Sequence, residues 1–167
     1  MDVIIERAKP SDAAALLRYL RQVGAETDNL TFGPEGLPLG VEAEEAYLAG
    51  MEHSRDEIML LARENGKIVG VSSLNRLPRR MSHRGDFGVS VAKSHWNRGI
   101  GSRLLEHILA FAKENGFEII ELQVRADNAA AIHLYEKYGF QKLCTYPAFF
   151  KIGNQSVDFD LMCRTLP

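Results

Sequence analysis

The sequence predicts a mixed α/β (α+β) fold, in which helices cover the faces of one sheet, and two observations carry this prediction. Short β-rich segments alternate with segments whose apolar residues recur at helical spacing, in the order β-α-α-β-β-β-α-β-α-β-β. The clearest element is a hairpin around Asn65-Gly66, the dipeptide favoured in a type I′ turn. A chain of 167 residues is long enough for one core, so we predict a single domain spanning 1–167.

The N-terminal half is predicted to contain one short strand, two helices and that hairpin. The strand covers Val3 to Ile5, and the first helix lies in PSDAAALLRYLRQVG, with a cap at Ser11 and a stop at Gly24. A long turn-rich loop, AETDNLTFGPEGLPLG, leads into a second helix, VEAEEAYLAGMEHS. The hairpin strands follow in EIMLLARENGKIVGVSSL.

The C-terminal half is predicted to alternate strands and helices. DFGVSV has the alternation of a strand, and the segment after it, HWNRGIGSRLLEHILAFAKENG, contains a strongly amphipathic helix. EIIELQVRA is predicted as the next strand, and NAAAIHLYEKYGF as a helix that Gly139 ends. VDFDLMCRTL is predicted as the last strand. The aromatic stretch TYPAFF before it could line a pocket or belong to the core.

Composition and charge exclude several classes of function. The net charge of -2 argues against general nucleic-acid binding, and no apolar run reaches the ~18–20 residues that span a bilayer. The start MDVIIERAKPSD lacks the features of a signal peptide. Cys144 and Cys163 lie in no CxxC or Cys/His cluster. We therefore expect a cytoplasmic protein with free thiols, no metal, and neither a nucleic-acid nor a membrane partner.

Two glycines, Gly99 and Gly101, lie directly before and within the start of the amphipathic helix. A P-loop is excluded because Ser102-Arg103 follows where Lys-Ser/Thr is required, and a dinucleotide fingerprint is excluded because Leu104 replaces its third glycine. Two interpretations remain open. The glycines allow a sharp turn against the sheet, or they let an anion approach the unpaired N–H groups of the helix start.

Two segments carry a resemblance to a known family. VSVAKSHWNRGIGSRLL resembles motif A of the GCN5-related N-acetyltransferase (GNAT) superfamily, whose core is Gln/Arg-x-x-Gly-x-Gly/Ala and here spans Trp96 to Gly101. VRADNAAAIHLYEKYGFQKL resembles the family's motif B, and with the element order the resemblance covers Val3 to Leu166. It implies a central mixed, mostly antiparallel sheet of about seven strands with about four helices. Strands 4 and 5 would be parallel and splayed.

The resemblance implies acetyl-CoA as co-substrate and gives each part of it a binding segment. Backbone amides of residues 97–102 would wrap the pyrophosphate, and Arg98 would either add charge or be a solvated arginine of the first helical turn. The splayed strand would pair with the pantetheine arm as an added strand would. Asn128 would bond that arm, cap its own helix, or do both. Trp96 replaces the usual Gln or Arg, so we expect that side-chain contact to be absent or replaced by apolar packing. The implied cofactor-binding residues are Val89, Ser90, Val91, Asn97, Arg98, Gly99, Ile100, Gly101, Ser102 and Asn128.

Catalytic residues are also implied by the resemblance. Tyr135 matches the general acid that protonates the departing thiolate, although it could instead complete a buried helix face. Asp86, at the start of the fourth strand, is where many relatives carry an acid, and a solvated strand-end aspartate is an equal alternative. Glu26 and Asp28, in the long loop, are further candidates for the base or for acceptor binding. Glu42, Glu44 and Glu45 would add negative potential that favours a cationic amine, or are ordinary surface charge.

The function predicted from these residues is an acetyl-CoA-dependent N-acetyltransferase. It would act by direct attack in a ternary complex, on a primary amine, with a small-molecule acceptor favoured. A protein or peptide N-acetyltransferase is one alternative, and a non-catalytic acyl-CoA-binding regulatory domain is another. The sequence leaves a homodimer open.

Overall fold

In a computed structural model, which describes residues 2–167, four helices flank one seven-stranded sheet. The strands are β1 (Ile4–Arg7), β2 (Glu57–Glu64), β3 (Lys67–Arg76), β4 (Arg84–Val91), β5 (Ile119–Arg125), β6 (Gln141–Ile152) and β7 (Gln155–Thr165). The helices are α1 (Ala13–Glu26), α2 (Val41–Met51), α3 (Ile100–Glu114) and α4 (Ala129–Lys137). None of the helices in this range is both long and apolar enough to cross a bilayer.

The sheet opens between its fourth and fifth strands. Its order is β1-β2-β3-β4-β5-β7-β6, and every neighbouring pair is antiparallel except β4 and β5. Those two strands pair at only three positions, Arg84–Asp86 with Ile119–Glu121, and then separate. The second half of β4 therefore has no strand on its β5 side. The predicted fold class, with parallel and splayed strands 4 and 5, is confirmed.

Two apolar clusters hold the helices on opposite faces of the sheet. Alternation along the strands sends successive side chains to opposite faces. On one face, Leu104 and Ile108 of α3 are fully buried together with Ile120 of β5. On the other face, Leu16 of α1 and Leu48 of α2 pack in the second cluster. The clusters fix both helix layers against the sheet, and the opening between β4 and β5 lies between them.

The predicted boundaries of the first helix are wrong, and a tertiary contact explains one of them. The helix begins at Ala13, after a 3₁₀ turn in which the Asp12 carboxylate accepts a hydrogen bond from the Lys9 N–H at 2.8 Å. Ser11 is therefore not the cap. The helix continues past Gly24, where a Cβ atom would lie 2.0 Å from the Gly33 carbonyl oxygen. The glycine allows the long loop to pack on α1 rather than ending the helix.

The hairpin prediction is confirmed at the level of the turn. Asn65 and Gly66 have φ angles of 51° and 78°, as a type I′ turn requires, and they join β2 to β3 directly.

Candidate active site

The separation of β4 from β5 opens a cavity of about 870 Å³. One end lies at the start of α3, and the other lies under α2 and the loop over residues 27–39. Eleven of the predicted site residues line it. They are Asp86, Val89, Ser90, Val91, Asn97, Gly99, Ile100, Gly101, Ser102, Asn128 and Tyr135.

The start of α3 forms an open cradle of backbone. Gly99 caps the helix in the left-handed region at φ 75°, and Asn97 also has a positive φ of 59°. A Cβ atom at Gly99 would meet nothing within 4 Å, and one at Gly101 would meet only the Leu134 side chain at 3.4 Å. The first N–H groups of a helix lack partners within it and carry the positive end of its dipole. The space and the donors therefore fit an anionic group such as a pyrophosphate.

Arg98 does not line the cavity, because its side chain is bound elsewhere. Its guanidinium contacts the Glu64 carboxylate, with Nη2 2.5 Å from Oε1, and His95 Nε2 lies 2.9 Å from the other Glu64 oxygen. Hydrogen bonds from Arg98 and then His95 lower the pKa of Glu64 to about 2. Glu64, at the end of β2, thus binds two residues of the segment before α3.

Trp96 makes a polar contact that the sequence did not indicate. Its indole N–H donates to the Val91 carbonyl oxygen at 2.8 Å, while 42% of the residue stays exposed. The side chain that replaces the usual Gln or Arg therefore binds the end of β4, in addition to any apolar packing.

The free edge of β4 lies along the middle of the cavity. The Ser90 hydroxyl is 3.1 Å from the Tyr19 hydroxyl on the α1 side, whereas Val89 and Val91 pack against the α3 side. Because the pairing with β5 ends at Asp86, the backbone groups of Val89–Val91 on the β5 side have no strand partner. Such an edge can pair with an extended ligand as it would with another strand.

Tyr135 of α4 and Asn128, the residue before that helix, line the same cavity. Asn128 caps the helix, its side-chain oxygen accepting the Ala131 N–H at 3.3 Å, and it also lines the cavity. Tyr135 packs its ring between Phe87 and Phe140, at centroid distances of 6.1 and 5.9 Å. Burial raises the pKa of Tyr135 above its ordinary value. The phenol therefore keeps its proton at neutral pH.

Asp86 lies where the parallel pairing of β4 and β5 ends. Its Oδ1 is buried without a hydrogen-bond partner, as is Oδ1 of Asn75, the residue opposite on β3. Burial and the Glu121 carboxylate raise the pKa of Asp86, against a hydrogen bond from Gln123. Glu121 itself is paired with Arg84 at 2.5 Å. Asp86 is thus a carboxylate with a free oxygen at the cavity, and it is not a solvated strand end.

Glu26, the last residue of α1, and Asp28, in the loop that follows, do not line the cavity, whereas other residues of that loop do. One Glu26 oxygen accepts the Lys93 N–H at 2.8 Å, which fixes the start of a 3₁₀ turn. The backbone carbonyl of Asp28 accepts a hydrogen bond from the Arg125 guanidinium at 3.2 Å, and the residue is exposed. The cavity therefore does not bring these two acids together with the other predicted site residues.

Glu44 of α2 lines the cavity. The sequence did not distinguish it from the two other acids of the same helix. It is 2% exposed, whereas Glu42 and Glu45 are exposed to solvent. Glu44 and Leu48 are four residues apart and both buried, so they share one face of α2. That spacing is a signal by which the sequence alone could have separated Glu44 from its neighbours.

Part of the predicted aromatic stretch lines the cavity. Phe149 of β6 and Phe159 of β7 line it, with ring centroids 4.7 Å apart. Phe150 packs on Phe159 from another side, with centroids 4.8 Å apart. The stretch therefore contributes Phe149 to the cavity wall, and none of its residues belongs to the buried core.

Comparison with known proteins places these features in a family. The model of the acetyltransferase (GNAT) family matches residues 27–140. An L-amino acid N-acetyltransferase of Escherichia coli is 36% identical over 109 residues, which are 63% of this chain and 66% of that protein. The N-alpha-acetyltransferase RimI of Mycobacterium tuberculosis is 34% identical over 94 residues, 56% of this chain and 58% of that protein. The matches span less than two thirds of the length of these two relatives.

Solved structures are similar over nearly the whole chain. A GNAT-family acetyltransferase of Streptococcus pneumoniae has a TM-score of 0.95 and 34% identity, covering 99% of this chain and 100% of that one. An acetyltransferase of Salmonella typhimurium, solved with its cofactor acetyl-CoA, has a TM-score of 0.86 and 20% identity, covering 100% of this chain and 95% of that one. Because the identity to the Salmonella typhimurium protein is only 20%, that similarity shows a shared fold and nothing more.

Proposed function

The chain belongs to the acetyltransferase (GNAT) family, and on that premise we propose that it transfers the acetyl group of acetyl-CoA to a primary amine. One observation carries the proposal. A single cavity holds the open glycine cradle of α3, the free edge of β4, and the side chains of Asp86 and Tyr135. Acetyl-CoA, when bound, supplies the acetyl thioester, and the rest of the chemistry falls to these residues.

The cradle and the β4 edge divide the binding of acetyl-CoA between them. Backbone amides from Asn97 to Ser102 would hold the pyrophosphate, where the glycines leave room for its oxygens. The free edge of Val89–Val91 would hold the extended arm, with Asn128 on its other side.

Asp86 is the proposed base. A lysine-like amine has a pKa of about 10.4, so only about one molecule in 10³ is neutral at pH 7. Removing the proton at this pH therefore costs roughly 4–5 kcal/mol. The unpartnered Oδ1 of Asp86 can accept the ammonium proton directly or through a water molecule. Because burial raises its pKa, this carboxylate is a better proton acceptor than a solvated aspartate.

Tyr135 is the proposed acid. Burial keeps its hydroxyl protonated, so it has a proton to give to the departing thiolate. A backbone N–H on the free edge of β4 is the donor available to polarise the thioester carbonyl. The family's usual arrangement of acid and sulfur supports this assignment, as does the place of Tyr135 in the cavity wall.

Direct attack in a ternary complex is proposed because the cavity lacks an evident thiol nucleophile. Neither Cys144 nor Cys163 is among the described residues that line it. We favour a small-molecule acceptor, bound where α2, the 27–39 loop and Phe149 line the cavity, which we call its acceptor end. The likeness to RimI keeps a peptide N-terminus as the second candidate.

The experiment is a panel of amines incubated with the enzyme and acetyl-CoA. Polyamines, aminoglycosides, amino acids and peptides with free N-termini are compared by CoA thiol release, and products are identified by mass. Turnover with one class and a product heavier by one acetyl group supports the proposal. CoA binding without turnover of any amine would favour the non-catalytic alternative, and absence of CoA binding would contradict the proposal altogether.

A further inference from the structure

The acceptor end of the cavity contains a buried carboxylate that the proposed reaction does not use. Glu44 is 2% exposed, lines the cavity, and lies in the first turns of α2. Burial raises its pKa, and no hydrogen bond or ion pair from another residue of the described chain reaches its side chain. Its partners in the folded protein are therefore limited to what the cavity itself receives.

Keeping such a group costs stability. A buried polar group without a partner is unfavourable, and the cost is larger for a charge. The α2 N-terminus offsets only part of this cost, because the effect of a helix dipole on one charge is small. Many of the side chains that line the cavity, including Leu20, Met59 and Phe32, are apolar and offer no donor. A cationic ligand group would supply the missing partner.

The positive side chains of the cavity are already occupied. Arg125 is the one lysine or arginine among the described lining residues, and its guanidinium binds the Asp127 carboxylate at 2.7 and 3.2 Å. A third nitrogen of Arg125 donates to the Asp28 carbonyl. An acceptor carboxylate would therefore meet no free arginine or lysine, whereas Oδ1 of Asp86 has no hydrogen-bond partner and no residue of the described chain pairs with the Glu44 side chain.

We propose that the acceptor is a small diamine, with one amino group reacting beside Asp86 and the second, as an ammonium group, bound by Glu44. This inference rests on the proposed acetyltransferase function and adds the class of its substrate. A second ammonium group satisfies the Glu44 carboxylate and places the reacting amine at a fixed distance from it. An amine without that second charge leaves Glu44 without a partner.

The test compares α,ω-diamines of increasing chain length with monoamines of matched length. We expect kcat/KM to be higher for diamines and to peak at one length, which reports the spacing of the two subsites. In Glu44→Gln, the advantage of the best diamine over its matched monoamine should fall about 10- to 100-fold, mainly through KM. Glu45→Gln, on the exposed face of the same helix, is the control and should keep the full advantage.

A binding measurement supplies a readout that does not depend on turnover. Calorimetric titration of the best diamine into CoA-saturated enzyme should show the same loss of affinity in Glu44→Gln and none in Glu45→Gln. Equal efficiency for diamines and monoamines, or an undiminished diamine preference in Glu44→Gln, would overturn this inference alone. Failure of every amine to release CoA would instead overturn the proposed function.

Discussion

Asp86 and Glu121 are neighbours across the parallel strands, yet their surroundings give them different chemistry. Glu121 is bound to Arg84 at 2.5 Å, whereas Oδ1 of Asp86 is buried without a partner. Because the pKa of Asp86 is raised in the folded state, the protein gains stability as pH falls through that pKa. At neutral pH the charged carboxylate is thus held at a cost, which is typical of functional sites.

Replacing Asp86 with asparagine separates its role in catalysis from its role in stability. We expect kcat of Asp86→Asn to fall about 10²- to 10⁴-fold, because the proton acceptor is lost. The acid limb of the pH–rate profile that Asp86 contributes should disappear as well. Thermal unfolding at pH 8 should show the variant at least as stable as the wild type. Wild-type rates in the variant would show that another group accepts the proton.

Glu64 is the opposite case, a carboxylate whose pKa is lowered to about 2 by Arg98 and His95. A lowered pKa contributes stability above the ordinary value of 4.5, and that contribution is lost as pH falls from 4.5 toward 2. We expect Glu64→Gln to unfold at a lower temperature than the wild type at pH 7, with the difference shrinking across this window. Glu45→Gln serves as the control. A constant difference at every pH would contradict the ion-pair account.

At the scale of elements, the start of α3 combines two glycines with different requirements. Gly99 needs its positive φ of 75°, whereas no such conformation is found at Gly101, which lies within the helix. Alanine at Gly101 would meet only the Leu134 side chain at 3.4 Å, an ordinary contact. The second glycine is therefore explained by space in the cavity and not by backbone strain.

This difference leads to a prediction in which stability and binding change in opposite directions. Gly101→Ala should raise the unfolding temperature, because alanine is favoured over glycine in helices by about 1 kcal/mol. It should weaken CoA binding about tenfold, because the methyl group displaces a charged hydrogen-bond partner. Gly50→Ala, in the exposed part of α2 with open space around it, should stabilise similarly and leave CoA affinity unchanged. Unchanged affinity in Gly101→Ala would place the pyrophosphate elsewhere.

Local patterns predicted most of the elements and the position of the glycine turn before α3, whereas contacts between distant segments could not be predicted. The hairpin turn and the start of α3 are set by consecutive residues, so the sequence located both. Gly24 followed the local rule for a helix stop, and its contact with the Gly33 carbonyl overrides that rule. Arg98 was assigned to the cofactor by motif position, but Glu64, 34 residues earlier, determines where its side chain points.

At the scale of the whole molecule, the sheet determines which residues meet. Pairing of β4 with β5 over three positions ends at Asp86, and the cavity begins there. The α3 and α4 layer contributes the cradle and Tyr135, while α2 and the long loop contribute the part of the cavity that we propose for the acceptor. The fold thus brings the glycine cradle, Tyr135 and the two carboxylates of Asp86 and Glu44 to one cavity, and the proposed function assigns the two carboxylates to the acceptor.

The most direct test of this account is amine-dependent CoA release by the wild type and by Tyr135→Phe, measured at saturating acetyl-CoA. The substitution removes one hydroxyl and keeps the ring that packs against Phe87 and Phe140. We predict that the variant binds CoA with wild-type affinity in calorimetry, while its kcat falls about 10²- to 10⁴-fold. Release of CoA at the wild-type rate by Tyr135→Phe would contradict the central claim that this cavity performs acetyl transfer with Tyr135 as its acid.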